Sequence, residues 1–365
     1  MKSFFVFVVV CFTLSLVHAA TIPVAPTGSC AGDLNAIETA VNSAQPRDVV
    51  ELAAGNYDFS CVTSDAPGVF IGNPDITVQG TAGQTVISGP AFATQTFSTG
   101  IFVAADAVTL DSLTVTGFAV GIQAGGGSFT ANHFAITNSI FQNNIQAVFV
   151  APNTFAPRMV GNQFFVPTPP DSDIFAPFGE TFGVIVSRNC SGFLFAKNTI
   201  SGPGVVVSFK NTDQLIEDPH GTNEGLHTIG LFQVDFRGDA SELGRVSDNV
   251  FTNLDSAMQA SSNLGVVTHN TVTHNAIGID ISNDFDDGVH RVSGNVITEN
   301  VATDNQVGIW MASATANTIT LNDLRNNSLA GLLFLANPGG APSTGNLFHQ
   351  NQGAKIAGAQ GNSSF

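Results

Sequence analysis

Positive charge is scarce in this sequence. Its 365 residues include 11 Lys and Arg against 28 Asp and Glu, which gives a formal net charge of −17 at pH 7. Such a surface repels polyphosphates and anionic membranes, so nucleic acid is excluded as an expected partner. The charge is compatible with cations, with neutral glycans, or with acidic substrates bridged by a metal ion.

Long apolar runs are absent after the first twenty residues. Lys2 precedes the run FFVFVVVCFTLSLV, which leads to Ala19 and Ala20. This pattern is typical of a cleavable signal peptide, and the run is shorter than the roughly 20 apolar residues of a membrane span. We therefore expect residues 1–20 to be removed. The expected product is an extracellular protein without a membrane span, in which residues 21–365 form one domain.

Cysteine is also rare, with four in the chain, and Cys11 lies in the expected signal peptide. In an oxidising compartment we expect Cys30 and Cys61 to form a disulfide and Cys190 to remain unpaired. Three sequons for N-glycosylation provide the candidate sites of a glycoprotein. They begin at Asn189, Asn326 and Asn362.

Two short sequence phrases recur through most of the chain. One is Asn followed two residues later by an apolar residue, at Asn138, Asn162, Asn198, Asn249, Asn270, Asn295, Asn317 and Asn346. The other is a small residue before an apolar strand, at Gly121, Ala147, Gly183, Gly204, Gly230, Ser256, Gly278, Gly308, Gly331 and Ala354. Spacings mostly in the twenties predict a stacked solenoid.

The strands within these repeats alternate between apolar and polar residues, which predicts one buried face. We expect one internal column of Phe251, Val272, Ile297 and Ile319, with an external ladder of Thr252, Thr273, Thr298 and Thr320. A second column of asparagines suits the bends between strands, where stacked amides hydrogen-bond from coil to coil. Its members are Asn275, Asn300, Asn322 and Asn351.

The start of the expected mature chain predicts an N-terminal cap over about residues 30–60. We expect Asp33 to N-cap a helix that has Leu34, Ile37 and Val41 on one face and ends before Pro46. A helix here covers the open end of a coil stack. The segment from Asp33 to Phe59 and the repeats resemble the pectate-lyase-like superfamily. That resemblance implies an all-β, right-handed parallel β-helix of about ten coils, a fold shared by lyases, hydrolases, epimerases and non-catalytic adhesins.

Residues that follow the small-residue column predict an unusual outer face. They are mostly apolar, at Phe149, Ile185, Val206, Phe232, Met258, Asp280, Trp310 and Leu333. One interpretation is that residues 151–182 or a second subunit in a homo-oligomer cover this face. The other is a glycan groove, in which Trp310 and Phe232 stack against sugars and Asp280 is the polar centre between Met258 and Trp310.

Titratable residues concentrate in insertions of the repeat, at residues 210–228 and 282–291. Asp218-Pro219-His220 is similar to a motif of mannuronan C5-epimerases, which implies that His220 shuttles a proton and Asp218 is its charge partner. Those enzymes also use a tyrosine, whereas the expected mature chain has only Tyr57, in the cap region.

Lyases and epimerases of uronates abstract a proton beside a carboxylate, so they need a base and a cation or Arg. The candidate catalytic residues are Asp280, His220, Asp218, Arg291, His290 and Lys210. The candidate substrate-binding residues are Trp310, Phe232, Asp235 and Arg237. Calcium is the candidate cofactor, with Asp284, Asp286 and Asp287 beside Asp280 as oxygen ligands.

Two functions remain open from the sequence. One is a secreted protein that acts on an extracellular polysaccharide as a lyase or uronate epimerase. The other is a non-catalytic structural, adhesive or glycan-binding protein of a wall or surface, favoured because no complete catalytic signature is present.

Overall fold

Strands dominate the computed structural model. It describes residues 19–63, 67–91, 98–169, 180–187, 189–205, 227–233, 244–260, 263–282, 292–335, 343–353, 355–358 and 361–364. Within these ranges there are one helix, three large sheets and one two-stranded sheet. The expected signal peptide lies almost wholly outside the described residues.

The thirteen-stranded sheet consists of β1 (Thr21–Val24), β2 (Val49–Leu52), β5 (Thr77–Gln79), β8 (Thr109–Asp111), β11 (Ala135–Thr137), β14 (Arg158–Val160), β17 (Leu194–Ala196), β20 (Arg245–Ser247), β23 (Val266–Thr268), β27 (Val296–Thr298), β31 (Thr318–Thr320), β33 (Leu347–His349) and β35 (Ser363–Ser364).

The nine-stranded sheet consists of β3 (Gly55–Asp58), β6 (Thr85–Ser88), β9 (Thr114–Thr116), β12 (Ile140–Gln142), β15 (Gln163–Phe165), β18 (Thr199–Ser201), β21 (Val250–Thr252), β24 (Thr271–Thr273) and β28 (Val301–Thr303).

The eleven-stranded sheet consists of β4 (Val69–Ile71), β7 (Thr99–Val103), β10 (Val120–Ala124), β13 (Gln146–Val150), β16 (Glu180–Val186), β19 (His227–Gln233), β22 (Ser256–Ala260), β25 (Ile277–Ser282), β29 (Val307–Ala312), β32 (Ala330–Leu335) and β34 (Ile356–Ala357). A small sheet pairs β26 (Val292–Ser293) with β30 (Ala314–Thr315).

Successive coils place one strand in each large sheet, and neighbouring strands within a sheet run parallel. This arrangement is a right-handed parallel β-helix, as the sequence predicts. Side chains alternate inward and outward along each strand. The inward ones stack into columns, such as Val246, Val267 and Ile297, and all three of these are fully buried.

The predicted internal column was wrong in its membership. Phe251 pairs with Val272 in the nine-stranded sheet, whereas Ile297 pairs with Ile319 in the thirteen-stranded sheet. All four side chains do point inward and are fully buried. The threonines divide in the same way, because Thr252 pairs with Thr273 and Thr298 pairs with Thr320.

Asparagines form hydrogen-bonded ladders at three bends of the coil, rather than the two predicted columns. In each ladder the side-chain oxygen of one Asn accepts the backbone N–H of the Asn in the previous coil, as Asn300 does from Asn270 at 3.0 Å. The first ladder contains Asn162, Asn198, Asn249, Asn270, Asn300, Asn322 and Asn351. The second contains Asn275, Asn305 and Asn327, and the third contains Asn295, Asn317, Asn346 and Asn362.

The helix α1 (Cys30–Ser43) caps the first coil, with Ile37 and Val41 buried against it. The N-cap residue is Ser29, so the prediction that Asp33 caps the helix was wrong. Asp33 lies in the first turn and is fully buried. Its carboxylate accepts hydrogen bonds from the backbone N–H groups of Thr27 and Asp58, which ties the helix to the first coil.

The cysteines follow the prediction. Cys30 and Cys61 form a disulfide that joins the helix to the first coil, with their Cα atoms 5.9 Å apart. Cys190 is buried and takes no part in this disulfide, and its thiol donates to the carbonyl oxygen of Ala151 at 3.2 Å. No helix among the described residues is long and apolar enough to cross a membrane.

Candidate functional site

The outer face of the eleven-stranded sheet carries a continuous column of side chains. In register along the helix axis it contains Phe70, Phe102, Gln123, Phe149, Ile185, Phe232, Gln259, Asp280, Trp310, Leu333 and Ala357. We call this set the outer column. The predicted face is therefore present, although Val206 lies outside the described residues.

One member of the predicted column was wrong. Met258 pairs with Leu231 and Ile279, points into the core and is fully buried. Gln259 takes the place in the outer column beside Asp280. The reason is a shift of one residue, because Ala257, and not Ser256, occupies the small-residue position opposite Gly230. A Cβ on Gly230 would lie 2.5 Å from the carbonyl oxygen of Ala257, so close coil contact requires the small residue there.

The middle of the outer column is an apolar cluster. Phe182, Ile185 and Ile229 are buried, and Phe149 and Phe232 pack against them. The rings of Phe182 and Phe232 are stacked with centroids 5.5 Å apart. Phe232, a predicted sugar platform, is thus partly buried in protein contacts and keeps one part exposed.

Trp310 lies in a second apolar cluster, with Ile277, Val307 and Leu333 among its members. Its side chain is 1% exposed. These side chains are buried within a single chain, so a second subunit is not required to cover them. Homo-oligomerisation through this face stays a prediction, and Trp310 in this arrangement contacts protein rather than solvent.

Asp280 separates the two apolar clusters. It lies between Gln259 and Trp310 in register, and its side chain is 2% exposed. Ser282 on the same strand and Gln259 are also buried. Burying a carboxylate in apolar surroundings costs several kcal/mol unless hydrogen bonds or an opposite charge compensate it. A polar strip of this kind inside an apolar face is typical of a site that binds or orients a ligand.

A second buried acid lies at the start of the same strands, and the sequence reasoning did not identify it. Asp255 precedes β22, and its Oδ2 accepts the backbone N–H of Thr228 at 3.0 Å and the Thr228 hydroxyl at 3.2 Å. In turn the backbone N–H of Asp255 donates to the Thr228 hydroxyl. This reciprocal bonding fixes the beginning of β19 against β22. No spacing signal distinguishes such an acid from an exposed turn residue.

The remaining predicted site residues lie outside the described part of the chain. They are Lys210, Asp218, His220, Asp235, Arg237, Asp284, Asp286, Asp287, His290 and Arg291. In the chain, Asp235 and Arg237 follow β19, and Asp284 to Arg291 follow β25, so both groups come after strands of the eleven-stranded sheet. The described residues contain no group of three or more His, Cys, Asp or Glu that could hold a metal ion.

The candidate glycosylation sites differ in their surroundings. Asn326 and Asn189 are exposed, and the Asn189 side-chain amide donates to Asn153 at 3.2 Å. The Asn362 amide donates to the carbonyl oxygen of Ser343 at 2.9 Å as the last member of its ladder. Glycosylation at all three stays a prediction.

Solved structures with the same architecture were found by structural comparison. They share the right-handed parallel β-helix fold of this chain. A Dettilon tailspike protein (gp208) aligns with TM-score 0.53 and 14% identity, over 94% of this chain and 58% of that one. An alginate lyase in complex with a trisaccharide aligns with TM-score 0.51 and 12% identity, over 91% and 79% of the two chains. An alginate lyase in complex with G6 aligns with TM-score 0.49 and 11% identity, over 95% of this β-helix and 63% of the lyase.

The chain spans under two thirds of the tailspike and of the G6-bound lyase. These identities establish the fold alone. In sequence, the family described as periplasmic copper-binding protein (NosD) matches residues 185–363 of this β-helix, just under half of the chain. No curated protein matches the sequence.

Proposed function

We propose that this secreted β-helix binds an extracellular polysaccharide on the outer face of its eleven-stranded sheet, and acts on it as a uronate lyase or epimerase. The observation that carries the proposal is the burial of Asp280 between Gln259 and Trp310, in a column whose other members are mostly apolar. The alginate lyase solved in complex with a trisaccharide has the same fold, which supports the substrate class but not the chemistry.

The proposed chemistry uses residues that lie, in chain order, before and after β19 and after β25. A base removes the proton beside the uronate carboxylate, and a positive group neutralises that carboxylate so that the developing charge is stabilised. His220 and His290 are the candidate bases, and Lys210, Arg237 and Arg291 are the candidate cations, with Asp218 and Asp235 as their charge partners. Asp280 orients these groups or, with Asp284, Asp286 and Asp287, supplies oxygen ligands for calcium.

A copper site does not fit the described residues, because they contain no group of three or more His, Cys, Asp or Glu that could hold a metal ion. The matched family name includes copper, but Met258 and Met311 are sealed in the core. His269 instead bonds the exposed Glu299 carboxylate, Nε2 to Oε2, at 2.8 Å. No step through copper is therefore proposed.

The second candidate function is a non-catalytic scaffold or glycan-binding wall protein. The burial of Trp310 favours it, because a ring packed against Leu333 and Val307 stabilises the fold without contacting a ligand. In this alternative, Asp280 stabilises the local packing, and the protein does not bind polyuronates.

The test compares wild type with Asp280→Asn, which keeps the shape of the side chain and removes its charge. Release of unsaturated products from alginate and pectate is followed by ultraviolet absorbance. Binding to both polysaccharides is measured by calorimetry with and without calcium. Asp111→Asn, a partly buried acid on the thirteen-stranded sheet, is the matched control. Binding or cleavage that is lost only in Asp280→Asn supports the proposal. If wild type binds neither polysaccharide, the proposal is wrong and the scaffold function is favoured.

A further inference from the structure

Three phenylalanines form an aromatic corner near the N-terminal end of the outer column. We use this name for Phe70, Phe102 and Phe129. Phe70 and Phe102 lie in register on β4 and β7, and their rings are stacked with centroids 5.7 Å apart and planes 11° from parallel. Phe129 makes T-shaped contacts with both, its ring centroid lying 5.4 Å from that of Phe70 and 5.8 Å from that of Phe102.

A short glycine hairpin positions Phe129. Residues Gly125, Gly126 and Gly127 all have positive φ, and Gly126 and Phe129 exchange two backbone hydrogen bonds across the turn. The side-chain amide of Gln123 donates to the carbonyl oxygen of Gly125, and a Cβ on Gly126 would lie 2.9 Å from that amide. The chain therefore turns back after β10 at a point where only glycine fits well.

The exposure of Phe129 is not explained by core packing. Its side chain is 47% exposed although it contacts two other rings. Nearly half of its surface is therefore available for contact with another molecule. Partly exposed aromatic rings that pack against other rings are common at binding surfaces, because they provide large contact area at low entropic cost.

The rim of the corner is polar and negatively charged. The Asp106 carboxylate accepts hydrogen bonds from the Thr130 hydroxyl at 2.9 Å and from the backbone N–H of Asn132 at 2.8 Å. Burial raises the pKa of Asp106, but these hydrogen bonds outweigh it and hold the pKa below its ordinary value. The rim is therefore anionic at neutral pH, in a chain whose formal charge is −17.

We propose that the aromatic corner binds a neutral glycan, with the C–H face of one pyranose ring stacked on Phe129 and its hydroxyl groups toward the rim of Thr130, Asp106 and Asn132. Charge disfavours uronates here, because a carboxylate sugar would lie beside the ionised Asp106, whose titratable neighbour in the described part of the chain is His133. The corner is six strand spacings from Asp280, roughly 30 Å along the axis. It is therefore a separate site whose ligand class differs from that of the proposed polyuronate site.

The experiment is affinity electrophoresis in gels that contain laminarin, glucomannan or hydroxyethyl cellulose, with alginate as the charged comparison. The variants are Phe129→Ala, Phe129→Trp and Phe165→Ala. Phe165 is the matched control, since it is 46% exposed and lies on the nine-stranded sheet. Thermal unfolding of each variant confirms that it is folded.

We expect wild type to be retarded by at least one neutral glycan, with at least about tenfold weaker binding for Phe129→Ala and retained binding for Phe129→Trp. Phe165→Ala and Asp280→Asn should bind the neutral glycan as wild type does. The proposal is overturned if no neutral glycan retards wild type, if Phe165→Ala loses as much as Phe129→Ala, or if Phe129→Ala loses alginate binding instead. The Asp280 proposal is tested with alginate and pectate, whereas the aromatic corner is tested with neutral glycans. Failure of one proposal can therefore be distinguished from failure of the other.

Discussion

Asp280 and Trp310 lie side by side in parallel register on the outer face of the eleven-stranded sheet, and both side chains are at most 2% exposed. The interior neighbours of Asp280 on its own strand, Ile279 and Ile281, belong to the main core. The carboxyl group is therefore outside the coil but inside the protein. This location separates the candidate site from the many exposed acids of the chain.

Substitutions at inward and outward positions of one strand should have very different effects on stability. Ile297→Asn puts an amide into a fully buried column and removes a close-packed side chain, so we expect a loss of about 3 kcal/mol or more of stability. Thr298→Asn, one residue further on the outer side, should change stability by less than about 1 kcal/mol. Urea unfolding of both variants is the measurement, and equal losses would contradict the assigned orientation.

The protein should lose more stability when an asparagine is removed from the middle of the first ladder than when one is removed from its end. Asn300→Ala leaves the buried backbone N–H of Asn270 without its acceptor, which costs about 1–3 kcal/mol. Asn351→Ala at the end of the same ladder removes the acceptor for Asn322 in a less buried place, so its loss should be smaller. Thermal unfolding of the two variants is the measurement. A larger loss of stability in Asn351→Ala than in Asn300→Ala would contradict this account of the ladder.

The three cysteines of residues 21–365 should behave differently toward reagents. Burial raises the pKa of the Cys190 thiol to about 11, so iodoacetamide at pH 8 should leave it unmodified in the native protein. After denaturation without reduction, one thiol should react. Reduction of Cys30 and Cys61, which are 31 residues apart, should lower stability by about 3–4 kcal/mol. Mass spectrometry counts the modified thiols, and native labelling of Cys190 would contradict its burial.

One surface acid should contribute to stability at neutral pH and not in acid. Burial raises the pKa of Asp111, but hydrogen bonds from Thr137, Asn138, Ser112 and Gln79 outweigh it, so the folded pKa is lowered. A lowered folded pKa gives stability that is present above the unfolded value of about 3.9 and is lost as pH falls through the folded pKa.

The Asp111 contribution is read as the difference between wild type and Asp111→Asn, because other carboxyl groups titrate in the same range. Urea midpoints at pH 6 and pH 3 should show wild type more stable at pH 6 and the difference reduced at pH 3. A difference that grows on acidification would show that the pKa is shifted the other way.

Much of the fold could be predicted from the sequence because a solenoid repeats its local rules. The sequence shows the period of the repeat and the apolar residues that point inward. It also shows Gly230, the small residue that lies opposite Ala257. The division of asparagines among ladders was not, since one coil contains more than one Asn-bearing bend with nearly the same sequence, as Asn270 and Asn275 show. A shift of one residue at Ser256 then placed Met258 on the wrong face.

The candidate site was predictable only in part. Asp280 stands out as the one acid in an apolar column, but its burial depends on what packs over the sheet, and no local pattern encodes that. The same holds for Asp255, whose partner Thr228 is 27 residues away. The aromatic corner is likewise assembled from three separate coils, so Phe129 is not adjacent in sequence to Phe70 or Phe102.

The central claim is that Asp280 belongs to a polyuronate-binding site, and calorimetric titration of wild type and Asp280→Asn with an alginate oligosaccharide tests it most directly. We predict measurable binding to wild type and at least about a tenfold loss, 1.4 kcal/mol, in Asp280→Asn, with unchanged circular dichroism. Equal binding by the two proteins, or none by wild type with alginate and pectate alike, would contradict the claim.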